Sequence, residues 1–326
     1  MNGVMIIPTG LGCEIGGHAG DATPAAKLIA SVCDQLMLHP NVVNASDINE
    51  MPHNSLYVEG SILNRFLRGE VFLQEVYSNT TLLVSNPPLE PGTVNSVSSA
   101  IVTLGACVKS VELDKPLTMK AFFMKSGRAD GDVDGWEALV SQVSKYTFDA
   151  LAIHTPIECD AEVEKYYFHN GGVNPWGAVE AKASRLIATA LDKPVAHAPT
   201  SSNLTDADFD FIVDPRMAPE VISNHYLFCV LKGLLRAPRL DYEEGLTNSW
   251  VDFMITPVGC DGEPHQACRD NDIPMIAVRE NKTIFGEEVP EGTTFIAENY
   301  LEAAGIIACM REGVLPITVR RPLDYK

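Results

Sequence analysis

Two short stretches set a thiol, a carboxylate and an imidazole at the same spacing. The first runs Met5-Ile6-Ile7-Pro8-Thr9-Gly10-Leu11-Gly12-Cys13-Glu14 with His18 beyond it. The second runs Met254-Ile255-Thr256-Pro257-Val258-Gly259-Cys260-Asp261 with His265 beyond it. Each reads Met-Ile-x-Pro-x-Gly, then Cys, then an acid, then His five residues past the Cys. The likeness suggests two pseudo-repeated halves. A thiol in a loop beside a helix N-terminus has its pKa lowered and becomes a better nucleophile or base. Two such thiols across a ligand would suit proton removal on one face of a carbon and return on the other, as in a racemase or isomerase. The expected catalytic set is Cys13 and Cys260, with Glu14 and Asp21 beside the first thiol and His197 as helper from the strand end Val195-Ala196-His197-Ala198. The same loops offer an alternative, a zinc-dependent hydrolase liganded by Cys13, His18, Cys260 and His265. Their Cys-x4-His spacing is near finger spacing without matching a strong zinc motif.

Gly10, Gly12, Gly16 and Gly17 let the first loop bring its backbone N–H groups close to a ligand, where they would cradle a phosphate or carboxylate. The Rossmann spacing is not met and the Walker lysine is missing, so no NAD or ATP is expected and no cofactor is predicted, zinc being the minor alternative. Asn174 and Glu180 stand where a glycine-containing loop enters a helix, and Glu280 and Asn281 follow an apolar strand; all four are expected to face a ligand. His154 follows another strand. The 127–135 segment holds Asp130, Asp132 and Asp134 but lacks the glycine and terminal Glu of a calcium loop, and reads as a solvated loop before a helix.

These loops need a frame that gathers strand ends. Val4–Ile7 is an apolar run of strand length, and 22–37 reads as a helix. From Trp136 onward helices and short apolar strands alternate, with helices expected at 136–146, 177–191, 218–235 and 300–311 and strands at 150–153, 195–198, 209–213, 252–256 and 275–278. That alternation predicts an α/β fold with a mostly parallel sheet, Rossmann-like and doubly wound, covered by helices on both faces. In a parallel sheet the strand C-termini share one edge, which would bring the loops together. The 326 residues are expected to form a single α/β unit, 1–326, with one weak candidate boundary at the proline-rich break 86–92 separating a glycine-loop part, 1–90, from the rest, 91–326.

Composition narrows the function classes. The formal charge of −19 argues against nucleic acid and anionic membrane surfaces as partners. No apolar run reaches transmembrane length, and a cytoplasmic location is expected. Eight cysteines without a CxxC pair read as thiols of a reducing compartment. The acidic surface is compatible with a homodimer.

A longer set of motifs adds a resemblance. Ile7-Pro8-Thr9-Gly10-x-Gly12-Cys13-Glu14-Ile15-Gly16-Gly17-x-Ala19-Gly20-Asp21-Ala22, His39-Pro40-Asn41-Val42-x-Asn44, Tyr57-Val58-Glu59-Gly60, Gly172-Val173-x-Pro175, Ala196-His197-Ala198-Pro199 and Arg236-Ala237-Pro238 resemble the DUF3326 family, a bacterial family of unknown function prominent in cyanobacteria. The resemblance spans nearly the whole chain and implies one globular family without a settled activity. Cys13, Glu14, Asp21, Asn44, Glu59 and His197 fall inside its motifs, which adds Asn44 and Glu59 to the ligand-binding set. The family often has Tyr at the position of His18, and the stretch around Cys260 matches it loosely. The expectation is an enzyme acting on a small polar or anionic metabolite, an isomerase, racemase or lyase, with a non-catalytic metabolite-binding protein as the alternative.

Overall fold

A computed structural model of the chain describes residues 1–18, 21–43, 50–200 and 226–322. The two ends of the chain build one sheet. Strands β1 (Asn2–Met5), β2 (Gln35–Leu38) and β3 (Ser55–Tyr57) join β13 (Phe253–Val258), β14 (Met275–Lys282) and β15 (Phe295–Ala297). All six are parallel, in the order β15-β14-β13-β1-β2-β3. The middle of the chain builds a second parallel sheet from β5 (Thr80–Ser85), β6 (Cys107–Glu112), β9 (Ala150–Thr155) and β11 (Val195–Pro199), in the order β11-β9-β5-β6. Among the described residues two smaller ribbons add further strands: β4 (Phe72–Gln74) with β12 (Arg239–Asp241), and β7 (Thr118–Phe123) with β8 (Ala129–Asp134) and β10 (Ile157–Glu158). The fold is therefore α/β, with two parallel sheets.

Parallel strands need long crossovers and burial on both faces, so they read as unbroken apolar runs. Val4 and Met5 are wholly buried, as are Leu36, Met37 and Leu38 of the adjacent strand. One apolar cluster joins the sheets: Val4, Ile6 and Met254 from the first pack in the same core as Leu82, Val84 and Leu151 from the second. The crossovers are helices α1 (Thr23–Ala30), α2 (Gly60–Leu67), α3 (Pro91–Leu104), α4 (Trp136–Val143), α5 (Ala161–Asn170), α6 (Gly177–Leu191), α7 (Tyr226–Leu235), α8 (Glu263–Asp270) and α9 (Tyr300–Arg311). Helix α6 forms because Val179, Ala183, Ile187 and Ala188 recur on one face and are buried there.

The helices expected at 177–191 and 300–311 appear with those bounds. The helix expected over 22–37 stops at Ala30, and Gln35–Leu38 is a strand paired with β1. Three consecutive buried residues, Leu36 to Leu38, suit a strand covered on both faces better than one face of a helix. The 127–135 segment is no loop: Ala129–Asp134 is a strand antiparallel to β7, its acidic residues alternating along the ribbon. The break at 86–92 connects β5 to α3 inside the second sheet. The strand expected at 209–213 and the 218–225 part of the next helix lie outside the described residues.

The sheet is close-packed at its centre. A Cβ added to Gly3 of β1 would lie 2.3 Å from the Phe253 ring on β13. Gly3→Ala is expected to lower unfolding free energy by about 1–3 kcal/mol through overpacking, read from the denaturation midpoint. An unchanged midpoint would mean that the Phe253 ring can swing aside.

Candidate functional site

A cavity of about 400 Å³ opens where the carboxyl ends of the two sheets approach each other. From the first sheet come Ile7 to Thr9 after β1, His39 and Asn41 after β2, Glu59 after β3, and Cys260 after β13. From the second come Val195 to His197 of β11, while α6 lays Gly177, Glu180, Ser184 and Arg185 along one wall. A crevice outside the strand carboxyl ends is where open α/β sheets bind ligands.

The strongest polar arrangement in it belongs to His197 and Glu180. His197 stands in β11 opposite Ile153 of β9. Its Nδ1 lies 2.8 Å from Glu180 Oε1, one turn into α6. Its Nε2 lies 3.1 Å from both the carbonyl and the hydroxyl oxygen of Thr155. With Nδ1–H donated to the carboxylate, Nε2 accepts the Thr155 hydroxyl when the ring is neutral and donates to the Thr155 carbonyl when it is charged. The imidazole thus has a partner in either protonation state. The His197 side chain is 1% exposed and that of Glu180 28%, so the carboxylate faces the cavity and the ring stands behind it.

Glu59 is built differently. It caps α2: Oε2 accepts the N–H groups of Ser61 at 2.9 Å and Ile62 at 3.1 Å, together with the Ser61 hydroxyl. Oε1 accepts from no described residue, although Glu59 is only 7% exposed and lines the cavity. Burial raises its carboxyl above the ordinary carboxylate range. Close by, His39 accepts the Asn41 N–H at Nδ1, 3.2 Å away. Its Nε2 therefore carries the ring proton, and burial holds its pKa down to about 4. His39, Ser184 and Arg185 line the cavity unforeseen; the His-Pro-Asn turn after an apolar strand was the one signal for the first.

The glycine loop is engaged in holding itself together. Gly16 takes φ 82°, and a Cβ there would meet the Ile7 side chain at 2.4 Å. Glu14 N donates to the Lys282 carbonyl, Ile15 N to Asn281 Oδ1 and Gly16 N to Asp21 Oδ1. The Gly16 N–H, expected to help cradle an anion, is thus already bonded, as are those of the two residues before it. Asn41 Nδ2 reaches the carbonyls of Pro8 and Gly16 and ties the loop's two ends. Asn281, expected to touch ligand, is wholly buried and clamps Ile15 through its N–H and carbonyl, also donating to the Tyr300 hydroxyl. Glu280 is exposed and accepts the Tyr300 N–H at the start of α9. Glu14 is exposed, while Gly10, Gly12, Gly16 and Gly17 shape the loop without lining the cavity. Asn174 does line it and accepts the N–H groups of Trp176 and Gly177 at the start of α6. His154 Nδ1 donates to the Ala198 carbonyl, 2.9 Å away, between paired strands. Asn44 lies outside the described residues.

The thiols are placed otherwise than their spacing suggested. They follow β1 and β13, which are neighbours in one sheet, so they do not confront each other across the crevice. Cys13 is 2% exposed within the apolar core behind the loop and does not line the cavity; burial pushes its thiol far above the ordinary range. Cys260 lines the cavity, donates to the Pro257 carbonyl at 3.3 Å and is pushed up to about 11 by burial. His265 cannot take its proton. Its Nδ1 accepts the Gly262 N–H at 3.1 Å, so Nε2 carries the hydrogen and donates to the Thr256 hydroxyl at 2.8 Å. His18 is bonded to the Tyr167 hydroxyl. Hence Cys13, His18, Cys260 and His265 form no zinc site, and among the described residues no group of three or more His, Cys, Asp or Glu could hold a metal ion.

Comparison with known proteins adds kinship. The profile of DUF3326, described as a protein of unknown function, matches residues 2–320. An uncharacterized lipoprotein of Synechococcus sp. is 35% identical, over 100% of this chain and 96% of its own length.

Two outcomes follow from the thiols and the capping imidazole. Brief alkylation near neutral pH should label the exposed Cys107 first and leave Cys13 and Cys260 unlabelled until the protein unfolds, as peptide mass spectrometry will show. Rapid labelling of Cys260 would restore it as a nucleophile. For His265, burial lowers the folded pKa from 6.5 to about 4. The unfolded chain therefore binds a proton in that window that the folded chain refuses, so its contribution is complete above the upper value and is lost as pH falls toward the lower. The fall in melting midpoint between neutral and acidic pH should be smaller in His265→Gln; an identical fall would remove the buried neutral imidazole as its source.

Proposed function

The chain belongs to the DUF3326 family, and we propose that it is an enzyme that moves a proton on a small polar metabolite, with isomerase or lyase chemistry. The observation that carries this reading is the Glu180–His197 pair, 2.8 Å apart, at the wall of the cavity between the sheets. Glu180 serves as general base toward the ligand. His197, a positioning residue, orients the carboxylate and stabilises the charge that changes when the proton arrives. The paired-thiol mechanism is set aside, because Cys13 is buried away from the cavity and the surviving thiol has no base.

A cavity of about 400 Å³ is within the common range for sites of small ligands. The net charge of −19 speaks for a small-molecule partner over nucleic acid. The reading keeps the chain in the cytoplasm. The Synechococcus relative is named a lipoprotein; here an acyl chain on Cys13 would have to displace the core, since that thiol is 2% exposed and β1 just before it is paired on both sides. Among the described residues no helix is long and apolar enough to cross a membrane.

The test is a thermal-shift screen of the purified protein against a metabolite panel, followed by analysis of each hit for conversion. A binding ligand at a hundredfold excess over its Kd adds about 2.7 kcal/mol to stability. With a converted hit in hand, Glu180→Gln and His197→Gln should each lower kcat by about 10²–10⁴-fold while circular dichroism stays that of the parent. Hits recovered intact after long incubation would replace the enzyme by a metabolite-binding protein.

A further inference from the structure

Glu59 is an uncommon choice for a helix cap. Ser, Thr, Asp and Asn do that work with a shorter side chain. The cap engages one oxygen of Glu59, while the other reaches the cavity with no described donor. A carboxylate oxygen that faces a cavity in an otherwise buried residue has poor access to water, so a ligand group that donates to it would gain affinity.

The surrounding charges define that group. Among the described lining residues the carboxylates are Glu59, Glu180 and Asp261, and the one permanent cation is Arg185. Arg185 is paired with Glu263 at 3.1 Å, its side chain is 63% exposed, and its charge acts on Glu59 only as the smallest of the influences there. His39 and His265 are held neutral by burial. Among the described residues an anionic ligand would meet carboxylates without an unpaired cation, whereas an ammonium group would find Glu59 and Glu180 on the walls, Asp261 being paired with Arg269 at 3.0 Å. We infer that the cavity takes an amine-bearing ligand whose ammonium group sits against Glu59 Oε1. This deepens the reading of the cavity as the ligand site, narrows the metabolite from polar or anionic to cationic, and does not depend on turnover.

The experiment compares three probes of one shape, benzylamine, benzyl alcohol and benzoate, by ligand-observed NMR titration. Benzylamine is expected to bind on the order of tenfold more tightly than the other two, the worth of one charge-assisted hydrogen bond. In Glu59→Gln, whose amide oxygen still accepts the cap N–H groups, that preference should vanish while benzyl alcohol binding is unchanged. Ser61→Ala, which weakens the cap and keeps the charge, should retain the preference and so separates recognition from helix capping. Benzoate binding as tightly as benzylamine, an amine preference that survives Glu59→Gln, or no binding by any probe would overturn the inference. The enzyme reading fails separately, through a Glu180→Gln variant that turns over normally.

Discussion

The parallel pairing of β1 with β13 on one side and β2 on the other is the constraint on which the rest depends. It joins residues some 250 positions apart, as the register Gly3↔Phe253 shows. It also directs the ends of β1, β2, β3 and β13 to one edge, where the crevice lies. With the middle of the chain folded into its own sheet, β11 brings His197 to the same crevice from the other side. The cavity therefore exists only once both ends and the middle are in place. A change deep in β1, such as a methyl group at Gly3, acts on the site through the sheet rather than through contact with ligand.

Much of the polar chemistry beside that edge serves architecture. The loop after β1 looks from its glycines like an anion cradle, yet Asn281, Asp21 and the Lys282 carbonyl take the N–H groups of three consecutive residues. Buried backbone donors are almost always paired, and when side chains from neighbouring strands supply the acceptors the loop is held as part of the scaffold. His265 follows the same logic. Its ring bridges the Gly262 N–H and the Thr256 hydroxyl, tying the start of α8 to β13. Among the described residues, the groups that the scaffold leaves for a ligand include one oxygen of Glu59, the exposed face of Glu180 and the His39 Nε2–H.

The α/β class was legible because helical spacing and apolar runs alternate, and Gly177–Leu191 and Tyr300–Arg311 each bury residues that recur at helical spacing. Two sheets instead of one were not legible, because strand order is a long-range property that no local pattern records. β2 was hidden by the helix pattern that runs into it from α1, and β8 by an acidic, glycine-containing composition that suits a loop as well as an exposed ribbon. At the site, His197, Glu180 and Asn174 could be named from strand ends and helix starts, and Glu59 from the family motif Tyr57-Val58-Glu59-Gly60. The two Cys-acid loops misled because shared spacing says nothing about which way two neighbouring strand ends face. Their thiols lie on one side of the crevice, and a base for Cys260 requires a free imidazole lone pair that the backbone already holds.

The two carboxyl groups left at the cavity differ in the way a proton-transfer site needs. Glu180 is partly solvated and backed by the His197 imidazole at 2.8 Å. Glu59 is nearly sealed, with one oxygen fixed by helix N–H groups, and gains most from a ligand that brings its own positive charge. An ammonium group beside Glu59 would fix the ligand's orientation relative to Glu180 before any bond changes. Adjacent to an ammonium-bearing carbon, a C–H proton is also easier to remove, because the developing negative charge is stabilised by the neighbouring cation. Binding at Glu59 and proton removal at Glu180 would then be two halves of one electrostatic arrangement, set by the approach of the two sheets.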